Sequence, residues 1–178
     1  MTDLDYKTLI QSFNWTTLKQ FLKKILDKEE TTFTSGKALE YLIIRAFELS
    51  GAEVDYPYSV RKEGQEIEQI DGLVNAENLY CLIECKNEYE KTNVEPLAKM
   101  RSQLLRRPNS VIGSVFSVSG FTKPAIILAS YMAPQTILLW ERTEIEFVIE
   151  NECILQSLQL KYKMYVKECI ADFNTKKL

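Results

Sequence analysis

The chain has 178 residues, 46% of them hydrophobic and 26% charged, with a formal net charge of −3 and no histidine. That suits one globular domain, or one with helical additions. The missing histidine removes Ser-His-Asp hydrolases, Cys-His proteases, HExxH metalloproteases and nucleases with a histidine base, so a hydrolase of this composition must work with carboxylates and lysines.

No segment approaches the roughly 18 unbroken apolar residues of a membrane span, and MTDLDYKTLIQSF is too acidic and polar for a signal peptide. No membrane partner and a cytoplasmic location are therefore expected. Cys81, Cys85, Cys153 and Cys169 form no CxxC pair and are expected as free thiols in a reducing compartment, with a four-cysteine zinc site as the alternative. The net charge does not advertise a nucleic-acid binder; a local groove has to be judged from where the basic residues lie.

In chain order, residues 1–34 are an N-terminal helical extension. Leu9, Ile10, Phe13, Trp15, Leu18, Phe21, Leu22, Ile25 and Leu26 recur at helical spacing, with Lys19, Lys23, Lys24 and Lys28 on a solvated face. A helix is expected from Ser35, as N-cap, to Gly51 at its C′ position, with Leu39, Leu42, Ile43, Ala46 and Phe47 as its apolar stripe and Glu40 at the stripe's border. Three strands are expected over 53–60, 66–74 and 79–86. A helix with Pro96 in its first turn then runs to Arg107, followed by a strand over 110–118, a helix capped by Thr122 over 123–133 and a strand over 136–140. This order predicts an α/β domain over 35–150, a central mixed sheet flanked by helices. Residues 151–178 repeat Leu155, Leu158, Tyr162, Tyr165, Cys169 and Phe173 in near-heptad spacing: a helix packed on the domain or at the seam of a homodimer.

The informative stretch is QIDGLVNAENLYCLIECKN, residues 69–87. Two apolar runs flank Asn75-Ala-Glu-Asn78, a turn sequence, and a loop of either two or four residues gives one register. In it Asp71 lies across from Glu84, Leu73 from Leu82 and Gln69 from Lys86. Side chains alternate along a strand, so Gln69, Asp71, Glu84 and Lys86 share a face, while Ile70, Val74, Cys81, Ile83 and Cys85 share the other. Facing carboxylates repel, and a divalent cation such as Mg²⁺ offsets the repulsion. Lys86 then stands beside a bound water, where its pKa can fall below its reference value.

These residues, with three further blocks, resemble the Mrr-like branch of the PD-(D/E)XK nuclease superfamily. GKALEYLIIRAFELSGAEV is similar to the opening helix, QIDGLV to the strand bearing the metal aspartate, LIECKN to the ExK strand and VFSVSGFTKPAIILA to the strand, turn and helix that follow. TILLWERTEI is similar to the closing strand. The resemblance implies a restriction-endonuclease-like fold and a metal-dependent endodeoxyribonuclease, in restriction or defence against foreign DNA. It implies Mg²⁺, or Mn²⁺ in its place, on Asp71, Glu84 and the backbone carbonyl of Cys85, with Lys86 orienting the attacking water and Glu40 joining the site from the opening helix. Some branches carry a glutamine and a tyrosine on the helix after ExK; here Gln103 is followed four residues later by Arg107. DNA is the expected partner of Arg101, Gln103, Arg106, Arg107 and Lys123, with Lys99, Lys86 and Lys91 adding positive charge nearby. The alternatives are a structure-specific, junction-resolvase-like nuclease and a catalytically silent DNA-binding protein of the same fold.

Overall fold

Helical spacing folds the first third of the chain into three helices. The structure, a computed structural model, describes residues 2–177, and only the backbone of Ser35 and Lys177. Helix α1 (Asp3–Gln11) starts in a capping box in which Thr2 and Asp5 exchange side-chain and backbone hydrogen bonds, and α2 (Trp15–Leu26) is capped by Asn14. Their apolar faces bury Ile10, Leu18, Phe21, Leu22 and Ile25 against α3 (Ser35–Leu49). Ser35 is the first helical residue and Thr34 the cap; Gly51, at φ +92°, takes the left-handed position after the helix.

The three expected strands are five. The first divides at Tyr56-Pro57 into β1 (Glu53–Asp55) and β2 (Tyr58–Lys62), because proline has no N–H to give to a ladder. The second divides at Asp71 into β3 (Gln65–Ile70) and β4 (Gly72–Ala76), where the chain passes from one sheet to another. Strands β2 and β3 form a separate antiparallel ribbon with a bulge that leaves Ile67 unpaired. The main sheet has the order β1-β4-β5-β6-β7, with β5 (Leu79–Lys86), β6 (Ile112–Ser117) and β7 (Ile137–Glu141). It is mixed: β1, β4 and β5 pair antiparallel, and β5, β6 and β7 parallel.

The parallel crossovers run through α4 (Glu95–Leu104), shorter than expected at its C-terminus, and α5 (Lys123–Ser130), which ends before residue 133. Two successive right-handed crossovers in one direction put both helices on the same face of the sheet. Helix α3 covers the other face, close enough for the Ile44 side chain to occupy the space a Cβ on Gly72 would need. On that face Phe116 of β6 meets Phe47 edge-on and stacks on Trp140.

A helix the sequence reading did not expect, α6 (Arg142–Glu150), follows β7 directly and buries Ile145, Val148 and Ile149. Helix α7 (Ile154–Glu168) packs on the same side with Leu158 and Tyr165 buried, Leu155 and Tyr162 half-buried and Cys169 exposed. The segment after it returns along β7, where Leu139 N–H donates to the Ala171 carbonyl at 2.9 Å and closes that sheet edge. Among the described residues no helix is long and apolar enough to cross a membrane. The four cysteines are free thiols.

Candidate active site

The β4–β5 hairpin closes on Glu77 and Asn78, with Ala76 paired to Leu79 and both turn residues at positive φ, the conformation of a type I′ turn. Its ladder sets Gly72 against Ile83 and Leu73 against Leu82, the expected register. Continued by one residue it brings Asp71 to Glu84. The further expected pairing fails: Gln69 lies in the ribbon opposite Ser59, and Lys86 pairs with Ser117 of β6. The polar group on the hairpin is therefore Asp71, Glu84 and Lys86, without Gln69.

At Asp71 the backbone has left the ladder, and the side chain takes over: its Oδ2 accepts from the Cys85 N–H at 2.9 Å. Glu84 is buried in the central strand with its side chain 2% exposed. Two ammonium groups approach it, Lys86 Nζ 2.9 Å from Oε1 and Lys99 Nζ, from α4, 2.7 Å from Oε2. Lys99 donates a hydrogen bond to Oε2, and Lys86 forms a close ion pair with Oε1.

The electrostatics show an excess of carboxylate. Burial, then the charge of Glu84, raises the Asp71 pKa to about 6, against the opposing hydrogen bond from Cys85. Glu40 is half-buried on α3, which covers the other face of the sheet, and its charge couples to those of Asp71 and Glu84. Burial, then the charge of Asp71, pushes its pKa up to about 7, with Glu84 adding to the effect. For Lys86 burial acts downward, but the charge and hydrogen bonding of Glu84 outweigh it, and the pKa lies above its ordinary value rather than below. The expected fall of the Lys86 pKa is thus reversed in the protein by itself.

The basic residues after the ExK strand divide. Arg106 and Arg107 both bind the largely buried Glu68 of the ribbon, Arg107 at 2.8 Å, and Arg107 also donates to the Gln103 carbonyl. Burial would raise the Glu68 pKa, yet the hydrogen bonds from Arg107 and Arg106 hold it below the ordinary value. Gln103 is buried and donates to the backbone carbonyl of Gln69 at 3.2 Å. These three side chains tie α4 to the ribbon. Arg101 and Lys123 are exposed.

The loop from Asn87 to Val94 is pinned beside Lys86 by the SGFT turn: Thr92 N–H donates to the Gly120 carbonyl, Thr122 N–H to the Thr92 carbonyl, and the Thr92 and Ser117 hydroxyls lie 2.8 Å apart. Ser119 bonds the Glu88 carbonyl, and Thr122 caps α5 through the Ala125 N–H. Sequence reasoning placed Lys99 in a basic helix but did not place it on Glu84. No local pattern links the two, since the contact exists only because α4 packs across β5.

Among the described residues no group of three or more His, Cys, Asp or Glu side chains is arranged to surround a metal ion. What the site offers is two facing carboxylates, Asp71 and Glu84, the second paired with two lysines. That donor set is short of a cage, and it suits a hard cation held by one or two carboxylates that keeps several waters.

No family model matches the chain, and no curated protein matches its sequence. Among solved structures it is similar to one titled "Crystal Structure of Protein of Unknown Function AF1548", at 18% identity and a TM-score of 0.49 over 74% of this chain and 77% of that one. It is also similar to the DNA modification-dependent restriction endonuclease AspBHI, at 11% identity and a TM-score of 0.42 over 79% of this chain and 38% of that one.

Proposed function

We propose that the chain is a metal-dependent endonuclease that hydrolyses DNA phosphodiester bonds, with the restriction-endonuclease-like fold of the Mrr-like branch its sequence blocks resemble. The observation that carries the reading is the buried Asp71–Glu84 pair at the open end of the β4–β5 hairpin, with Lys86 on the same face as Glu84 and 2.9 Å from it. Repulsion of this kind is costly unless something answers it, and a cation does.

Asp71, Glu84 and the Cys85 carbonyl are the residues that would hold Mg²⁺ or Mn²⁺. In an antiparallel ladder a residue's N–H and C=O point to the same neighbouring strand, so the Cys85 carbonyl lies on the side where its N–H meets Asp71. A bound cation supplies Lewis acidity to a phosphoryl oxygen and lowers the pKa of water. Lys86, charged and held at Glu84, donates hydrogen bonds to the attacking water and to the charge that develops on the phosphate. Glu40, whose charge couples to Asp71 and Glu84, would aid a second metal or a water from α3.

Supercoiled plasmid incubated with Mg²⁺ or Mn²⁺ should be cut, and EDTA should abolish cutting. Lys86→Ala should lose about a hundredfold or more in rate while Mn²⁺ binding by calorimetry and the melting temperature stay near those of the unaltered chain. Asp71→Ala and Glu84→Ala should each weaken Mn²⁺ binding by about tenfold or more. Binding of plasmid without cutting, under every metal condition, would leave a DNA-binding protein in place of the enzyme.

A further inference from the structure

Glu84 is approached by two lysines that differ in freedom. Lys86 is anchored two residues along the same strand, and its side chain is 24% exposed. Lys99 comes from the surface of α4, reaches Glu84 Oε2 at 2.7 Å on a four-carbon stem, and is 45% exposed. Both line one open cleft of about 320 Å³, to which Lys91 adds a third ammonium and Glu88, Glu90 and Glu95 add carboxylates. The two arginines of the adjoining segment are engaged by Glu68. The positive charge beside Glu84 is carried by Lys86 and Lys99, both paired with a candidate metal ligand, and Lys99 is the more exposed of the two.

An ammonium and a divalent cation compete for a carboxylate oxygen and repel each other at that distance. Resting on the nuclease reading above, we infer that Lys99 is a displaceable counter-ion. It neutralises Glu84 in the metal-free protein, yields Oε2 to the arriving cation, and turns into the cleft to hold a backbone phosphate beside the scissile bond. The movement is a rotation about side-chain bonds at a half-exposed position, with no rearrangement of α4. Lys99 is then a positioning residue for metal and substrate in sequence, and its two roles have opposite signs.

The test uses the full chain as wild type, Lys99→Met and Lys99→Arg, because methionine keeps the stem and removes the charge. In calorimetric titration with Mn²⁺ alone, Lys99→Met should bind about two- to fivefold more tightly than wild type, the scale of a half-exposed ion pair. Lys99→Arg should stay near wild type. At saturating Mn²⁺ on duplex DNA, Lys99→Met should raise KM by about threefold or more with kcat little changed, as loss of one phosphate contact predicts. Unchanged or weaker Mn²⁺ binding in Lys99→Met, or an unchanged KM, overturns the inference. If wild type binds Mn²⁺ and cuts DNA while Lys99→Met equals it in both, only the role of Lys99 falls. If wild type neither binds nor cuts, the nuclease reading falls and this one with it.

Discussion

Two of the clusters of buried charge among the described residues are built on opposite plans. Between α6, α7 and the C-terminal turn, Lys161 and Glu144 are 2.7 Å apart with side chains 0% and 1% exposed. Every remaining valence is used: Lys161 also bonds the Phe173 carbonyl and lies 4.8 Å from the centre of the Trp140 ring, and Glu144 Oε1 accepts from both the N–H and the hydroxyl of Thr175 at 2.9 Å. At the hairpin, Asp71, Glu84 and Glu40 instead stand against Lys86 and Lys99, and burial with mutual charge keeps the pKa values of Asp71 and Glu40 raised. A closed, balanced network answers only to the fold, whereas an open and over-acidic one is what the proposed cation site would need.

The comparison predicts effects of opposite sign. Lys161→Ala leaves Glu144 charged and sealed from water, and should destabilise the chain by about 3–5 kcal/mol, read as a large fall in melting temperature. A fall of only a degree or two would mean that water enters the network. The Arg107–Glu68 clamp is intermediate, since Arg106 remains when its neighbour is lost. Arg107→Ala should cost about 1–3 kcal/mol in denaturant unfolding, with the ribbon loosened first in hydrogen exchange. Uniform protection across β2 and β3 would show the clamp to be dispensable.

The smallest effect, and the one that separates the clusters most sharply, is at Glu40. Asp71 and Glu40 ionise in the folded chain at about 6 and about 7, above their ordinary 3.8 and 4.5. Between those values the folded state holds more protons than the unfolded one. The stability they contribute is therefore fully present below about pH 4 and is lost as the pH rises through about 6 and 7. In EDTA the melting temperature should fall from pH 5 to pH 8, and Mn²⁺ should restore part of it at pH 8. Glu40→Gln should flatten that fall and stabilise the chain at pH 8 by about 1 kcal/mol, the reverse of what loss of charge does at Lys161. A destabilised Glu40→Gln would mean that its carboxylate is wanted by the fold.

Local chemistry was legible in the sequence. The alternation of the hairpin strands and its Glu77-Asn78 turn were enough to set Asp71 across from Glu84, because a turn and a period of two are properties of neighbouring residues. The capped helices could be read for the same reason. Helix α6 was missed because it follows β7 without a break, so that TILLWERTEI, read as the closing strand, runs from strand into helix. The split at Asp71 was hidden because Gln65–Ile70 and Gly72–Ala76 have strand-like composition on both sides of it.

By itself, then, the sequence determined most of the helices and the hairpin strands, the register of the hairpin, and the meeting of one aspartate with one glutamate and one lysine, but neither α6 nor the strand breaks at Pro57 and Asp71. Tertiary structure alone decided that Lys99 of α4 rests on Glu84, that Arg106 and Arg107 are held by Glu68, and that Lys161 is buried whole. Each of these joins elements far apart in the chain, through the face a helix presents and the angle at which it crosses the sheet. Those are set by the packing of the whole core, and no periodicity within a single segment encodes them.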